Sequence, residues 1–175
     1  MHRNQIRRLT LTAMFIALGY LLPFLTGQIP QFGTMLGPMH IPALLCGFVC
    51  GWQYGLVAGA IMPLLRSATL GMPPMFPDAV AMAFELAAYG CAAGLLYRAL
   101  PKKIDFVYVA LVLSMLIGRA VWGLASAVLM MGTENAFTTQ AFLAGAFINA
   151  WPGIVLHILV IPPVVLGLRR AKLMD

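Results

Sequence analysis

Long apolar runs, each closed by a short polar or Pro/Gly-rich segment, make up most of the chain between Leu9 and Leu168. Several runs approach the roughly 20 residues that a helix needs to span a bilayer. Segments of about ten alternating residues, typical of membrane strands, are missing from the sequence. Because backbone groups in lipid must be paired, we predict helices rather than a barrel. The pattern indicates an all-α membrane protein of about six transmembrane helices in one domain, residues 1–175.

Gly, Pro and polar residues mark the loops between the predicted helices. The helices are expected at 8–25, 40–51, 53–68, 79–98, 104–131 and 141–168. Outer loops are expected at 26–39 and 132–140, and breaks in the last helix near Pro152-Gly153 and Pro162-Pro163. Asp78 directly precedes the fourth helix, and we expect it to be the N-cap residue.

The stretch 41–65 is long enough for one spanning helix, but the basic residues favour two. They form three groups: Arg3, Arg7 and Arg8; Arg98, Lys102 and Lys103; Arg169, Arg170 and Lys172. With one crossing, the middle group would lie outside, against the positive-inside bias. Two short helices of about 13 to 17 residues, turning at 51–55, place all three groups and both termini in the cytoplasm.

Glycines recur every four residues across these two helices, at Gly47, Gly51, Gly55 and Gly59. Small residues at this spacing let helices approach closely in lipid. Glycine is frequent in membrane helices generally, so a chance pattern is also open.

The composition supports the prediction of a membrane protein and limits the kinds of partner that we expect. The chain is 62% hydrophobic and 9% charged, with a mean hydropathy of +0.92, far from the average soluble domain. Its formal charge is +6, but the basic residues flank helices and leave no solvated basic face. We therefore expect a lipid bilayer as partner and no nucleic acid.

Two ionisable residues stand inside apolar runs, Glu85 in the fourth and Arg119 in the fifth. Such residues are costly in a membrane and usually mark functional sites. Tyr89 lies one turn after Glu85 on the same face, and Trp122 lies three residues after Arg119. We predict a pocket for a small polar solute around the Glu85–Arg119 pair. The alternative is that the two charges only neutralise each other in helix packing.

Other polar and aromatic residues fall in the same outer half of the predicted bundle. The predicted substrate-binding residues are Arg66, Asp78, Glu85, Tyr89, Arg119, Trp122, Asn149 and Trp151. His157 is as well suited to bonding a neighbouring helix as to contacting a ligand. The sequence contains no GxxxxGK[ST], HExxH, CxxC or GxSxG motif, and we predict no catalytic residue, no metal and no cofactor.

Four features resemble the substrate-binding (S) components of energy-coupling factor (ECF) transporters. They are the plan of about six helices; Ala13-Met14-Phe15-Ile16-Ala17; Gly37-Pro38-Met39-His40-Ile41-Pro42; and Gly71-Met72-Pro73-Pro74 followed by residues 82–90. The resemblance implies a multi-pass protein of a prokaryotic cell membrane that binds a vitamin or precursor on its outer side. It also implies partnership with a transmembrane T component, contacted at Ala13 and Ala17, and two cytoplasmic ATPases.

The candidate residues leave the ligand open. Arg66 and Arg119 suit an anionic group such as the carboxylate of pantothenate, whereas Glu85 and Asp78 suit hydroxyls, amines or a pyridinium. A ring of the vitamin B6 type is favoured, then pantothenate or a nucleobase-like compound stacked on Trp122. Other hypotheses are a small intramembrane enzyme with Glu85 or His157 as general base, an ATP-independent solute carrier, and a structural partner of other helices.

Overall fold

The computed structural model describes residues 2–25, 35–131, 137–171 and 174, with side chains from residue 4 onward. Within these residues every regular element is helical, which confirms the all-α prediction. The helices are α1 (His2–Leu25), α2 (His40–Cys50), α3 (Trp52–Leu70), α4 (Val80–Ala99), α5 (Ile104–Leu129), α6 (Thr139–Leu143) and α7 (Trp151–Arg170). The wider turn Ala144–Ile148 links α6 to α7, so the two form one interrupted sixth helix.

Four of the described helical stretches are long and apolar enough to cross a membrane. They are Asn4–Leu25, Met75–Ala99, Ile104–Leu129 and Thr139–Arg170. Helix α2 has only 11 residues, or about 16 Å at helical rise. Helix α3 has 19 residues, about 28 Å, and is longer than predicted. Whether α2 and α3 both cross the bilayer, and where the termini lie, stay predictions.

The break between α2 and α3 is a single residue, Gly51. Its φ of 99° and ψ of 167° lie in a region that side chains rarely allow. The Gly55 amide already donates to the Gly51 carbonyl at 3.0 Å, so α3 begins directly after the turn. The prediction of two helices is therefore correct, but the five-residue turn is wrong.

Helix α4 packs against α2 and α3 at backbone distance. A Cβ atom on Gly47 would lie 2.2 Å from the Gly90 carbonyl oxygen, and one on Gly59 would lie 2.2 Å from the Leu86 carbonyl oxygen. Gly55 is equally confined, at 2.6 Å from the Gly90 oxygen. The close approach predicted from the glycine spacing is confirmed at these three positions. It is wrong at Gly51, which faces open space and serves the turn.

Several helix ends differ from prediction, and α3 and α7 each end two residues later than expected, at Leu70 and Arg170. Helix α1 begins at His2 instead of residue 8, since its polar, basic first residues continue the helix. Helix α5 ends at Leu129, two residues before the expected end. Asp78 does not cap α4: it is exposed within the turn Met75–Ala79, and Ala79 takes the cap position without a side-chain cap. The Ala79 amide donates instead to the Pro74 carbonyl at 2.9 Å.

The sixth helix is interrupted earlier than expected. The irregular stretch ends at Ala150, and α7 then runs without a break from Trp151 through Pro162 and Pro163 to Arg170. Pro152 lies in the first turn, where a missing amide hydrogen costs no helical bond, and buried Ile161, Pro162 and Val165 hold the later segment in place. The predicted loop 132–140 is wrong at its end, because α6 begins at Thr139. Residues 26–34 and 132–136 of the two predicted loops, and Lys172 of the basic tail, lie outside the described residues.

Candidate substrate-binding site

Glu85 lies in the middle of α4 and is 2% exposed. Arg119 reaches it from α5, with Nη1 2.8 Å from Glu85 Oε1. The partner expected for Glu85 is therefore confirmed. A buried carboxylate needs such a cation because desolvation alone would make its charged form very unfavourable.

Tyr89 completes the carboxylate's environment from the same helix. Its hydroxyl donates to Glu85 Oε1 at 3.1 Å, one turn along α4 as predicted. On α5, a Cβ atom at Gly118 would lie 2.2 Å from the Tyr89 ring. The glycine beside Arg119 thus makes room for the tyrosine, and α4 and α5 together fix both partners of Glu85.

Two histidines also join this group, around the carbonyl of Gly37. His40 Nδ1 lies 3.1 Å from the Gly37 oxygen, and His157 Nε2 lies 3.2 Å from it. Because a carbonyl oxygen only accepts hydrogen bonds, both nitrogens carry hydrogen. The two rings lie nearly parallel, 28° apart with 5.8 Å between their centres. Gly37 has a φ of 53°, and its turn brings the start of α2 against α7.

We call these five side chains, His40, Glu85, Tyr89, Arg119 and His157, the Glu85 cluster. Two of its buried nitrogens, His40 Nε2 and Arg119 Nε, have no hydrogen-bond partner among the described residues. His40 Nε2 lies 3.4 Å from Glu85 Oε1, which is longer than an ordinary N–H···O hydrogen bond. Buried polar atoms are nearly always paired in folded proteins, so these two atoms indicate a place for a further polar group.

The other predicted ligand residues lie in different surroundings. Arg66 is 4% exposed and turns toward α1, where Nη1 donates to the Tyr20 carbonyl at 2.8 Å and the guanidinium lies 5.0 Å from the centre of the Phe24 ring. Asp78 is exposed on the turn before α4. Their contact with a ligand stays a prediction.

Trp122, Asn149 and Trp151 are placed around the start of the sixth helix. Trp122 is half-buried and stacks on Phe142 at 6.2 Å between ring centres. Asn149 and Trp151 are exposed, Trp151 to 62%. Ligand contact at these three positions is likewise still predicted.

His40 is the member of the Glu85 cluster that sequence analysis left out of its candidates, and His157 was left undecided. The available signal was the position of His40 at the first residue of an apolar helix, where a polar side chain is unexpected. No group of three or more His, Cys, Asp or Glu side chains among the described residues is arranged to hold a metal ion.

Ala13 and Ala17 are exposed on α1. They line a shallow, mostly apolar groove between α1 and α3, together with Ile16, Tyr20, Leu21, Leu65 and Thr69. Small residues at this spacing allow another helix to approach. The groove is therefore suited to a helical partner within the membrane.

The described residues thus form a helical membrane protein with a buried, incompletely paired polar cluster. The family model for the ECF transporter, substrate-specific component, matches residues 7–165, and the chain belongs to this family. No curated protein matches the chain, and no solved structure matches it. Membership makes the chain a transporter component and implies a small-molecule substrate together with T and ATPase subunits.

Proposed function

We propose that this subunit captures a small ring-bearing vitamin of the B6 type on the outer side of a prokaryotic cell membrane. The observation that supports this is the pair of unpartnered buried nitrogens, His40 Nε2 and Arg119 Nε, on the two residues that approach Glu85 Oε1. A ligand that binds between them would pair both atoms. The ligand would also be shielded from water, and polar contacts are stronger in the protein interior than in water.

Both nitrogens need a polar group on the ligand. Arg119 Nε carries a hydrogen and needs an acceptor, and a ligand hydroxyl can pair with His40 Nε2 whether that nitrogen accepts or donates. A hydroxylated pyridine offers a phenolic oxygen to the arginine and a hydroxymethyl group to the histidine. The rings of His40 and Tyr89, 5.3 Å apart between centres, add aromatic surface for a flat ligand.

Two other ligand classes meet part of this pattern. Pantothenate would pair its carboxylate with Arg119 but has no ring for the aromatic side chains. A nucleobase has the ring and alternating donors and acceptors, but no charge for the arginine. We rank them in that order behind a B6-type ring, because a charged hydrogen bond contributes more than a neutral one.

Uptake would proceed through a T component and two cytoplasmic ATPases. The exposed Ala13 and Ala17 in the groove between α1 and α3 support contact with the T component. ATP turnover by the ATPases would then drive release of the ligand inside, because the binding subunit itself is proposed to perform no chemistry.

The test begins with mass spectrometry of small molecules carried by the detergent-purified protein, followed by thermal melting with B vitamins and nucleobases. A ligand that binds only the folded protein raises its melting temperature by mass action. We expect a B6-type compound to do so. Its affinity should fall roughly tenfold or more in Arg119→Gln, which loses a charged hydrogen bond to the ligand, and in Glu85→Gln, which loses the ion pair that positions Arg119.

Matched controls use exposed residues of the same charge. Asp105→Asn and Arg98→Gln remove one charge each outside the cluster and should leave affinity unchanged. Conversion of the ligand by the isolated chain would favour the enzyme hypothesis instead. Uptake into liposomes without ATPases would favour the solute carrier. If no compound co-purifies with the protein and no panel member raises its melting temperature, the proposal is contradicted.

A further inference from the structure

The connection between α4 and α5 meets the C-terminal end of α7 at the basic end of the bundle. Lys102 Nζ donates to the Tyr97 carbonyl at 2.7 Å and lies 3.5 Å from the centre of the Tyr97 ring. Arg169 Nη1 donates in turn to the Lys102 carbonyl oxygen. Lys102 therefore lies over the Tyr97 ring, and Arg169 is joined to Lys102 through its backbone carbonyl. We call these three residues the Tyr97 site.

The two cations of the Tyr97 site have no acidic partner among the described residues, where both ion pairs involve Glu85. Partial burial, and then the positive charge of Arg169, lower the pKa of Lys102. Neighbouring like charges disfavour each other's charged form. An anion bound between Lys102 and Arg169 would replace this repulsion with attraction.

The Tyr97 hydroxyl supplies a third group. Tyr97 is 6% exposed, its ring meets Phe48 edge-on at 82°, and its buried hydroxyl has no hydrogen-bond partner among the described residues. An ammonium, a guanidinium and an unpaired O–H donor together form a recognition set for an oxyanion, since hydrogen bonds to charged oxygens are the strong ones.

We propose that Tyr97, Lys102 and Arg169 bind a phosphate oxyanion, supplied by the headgroup of an anionic phospholipid. Basic residues at the ends of membrane helices lie at headgroup level, where the anionic leaflet attracts them. Tyr97 and Arg169 stand in the last turns of α4 and α7, and Lys102 in the loop after α4. This lipid site is separate from the Glu85 cluster and does not depend on the identity of the substrate.

The site is tested with the full chain in nanodiscs of phosphatidylcholine containing rising fractions of phosphatidylglycerol. Native mass spectrometry then counts the lipid retained after transfer to neutral detergent. We expect phosphatidylglycerol to be retained over phosphatidylcholine, with roughly tenfold weaker retention in Tyr97→Phe, Lys102→Gln and Arg169→Gln, as for the loss of one hydrogen bond to a charged group. Lys103→Gln, an adjacent exposed cation, should change retention less than twofold.

Tyr97→Phe separates lipid binding from packing. In pure phosphatidylcholine its melting temperature should equal or exceed that of the unmodified protein, because the hydroxyl has no protein partner to lose. With phosphatidylglycerol it should gain less stability than the unmodified protein. A purely structural hydroxyl would give the same difference in both lipids and would overturn the proposal.

Soluble glycerol phosphate is the second arm of the test. If it stabilises the protein and Tyr97→Phe removes the effect, the phosphate site holds and its source is a free phosphate. If phosphatidylglycerol stabilises the protein and glycerol phosphate does not, the source of the phosphate is the lipid. Equal retention of phosphatidylglycerol and phosphatidylcholine would contradict the site. Equal losses of retention in Lys103→Gln and Lys102→Gln would show general surface attraction and would also contradict it.

Discussion

Helices α1 and α4 are almost equally apolar, yet they occupy opposite environments. Their most apolar windows have mean hydropathies of 1.6 for Asn4–Leu25 and 1.7 for Met75–Ala99, but 22% of the first window is buried and 56% of the second. Helix α4 packs by glycines against two helices and holds Glu85. Helix α1 contacts α2 and α3 and exposes Ala13 and Ala17 on its outward face.

The comparison teaches that hydropathy alone does not distinguish a central helix from a peripheral one in lipid. Two residue types make the difference. Glycines such as Gly90 allow close backbone contact with α4, and the Glu85 carboxylate contacts side chains of two other helices, Arg119 of α5 and His40 of α2. A helix with neither is left to expose small and apolar side chains to lipid or to a partner subunit.

The largest effect should come from filling the backbone contact of α4. In Gly90→Leu the first side-chain carbon would lie 2.2 Å from the Gly55 carbonyl oxygen, and backbone atoms cannot move aside as a flexible side chain can. We expect destabilisation of more than about 3 kcal/mol, seen as loss of the monodisperse species in size-exclusion chromatography.

Gly167→Ala is the control for this substitution, since a Cβ atom there would meet open space. It should stabilise α7 by about 0.5 to 1 kcal/mol through helix propensity. Equal melting temperatures for Gly90→Leu and Gly167→Ala would contradict the assignment of α4 as the closely packed centre.

The second prediction concerns the buried negative charge of Glu85 on α4. Glu85→Gln leaves Arg119 buried without a counter-charge and should cost about 3 to 5 kcal/mol, measured by thermal melting in detergent. Adding Arg119→Gln should recover part of that loss because the unpaired charge is gone. The control Asp105→Asn, on the exposed surface, should change stability by less than about 0.5 kcal/mol. A double variant that is less stable than both single variants would contradict the pairing of Glu85 with Arg119.

A smaller effect is expected where α1 is fastened to α3. Arg66→Gln loses the hydrogen bond to the Tyr20 carbonyl and the contact with the Phe24 ring, together about 1 to 2 kcal/mol. Arg98→Gln, an exposed arginine of α4, is the matched control for melting. If both variants melt alike, Arg66 does not fasten α1.

The smallest effect on stability should come from the exposed face of α1. Ala13→Trp adds bulk to the groove without touching the buried core, so stability should change by less than about 0.5 kcal/mol. Uptake by the complete transporter should nevertheless be lost, while ligand binding by the isolated subunit persists. Met14→Trp, on α1 but outside the groove lining, should keep uptake. Parallel loss of binding in Ala13→Trp would contradict the partner interface.

The sequence by itself determined the helical class, the division of the stretch 41–65 into two helices and the Glu85–Arg119 pair. Each of these follows from a local rule: apolar length, the alternation of basic flanks across a membrane, and the need of a buried charge for a counter-charge. Tyr89 followed from helical periodicity on the same face.

Only the tertiary structure decided which distant residues join that pair. His40 and His157 are 117 positions apart in the chain, by the difference of their numbers, and meet through the Gly37 carbonyl because its turn sets α2 against α7. The direction of Arg66 toward α1 was equally hidden, since a long side chain at a helix end can reach either neighbour. Helix-to-helix packing, and not local pattern, fixes such contacts.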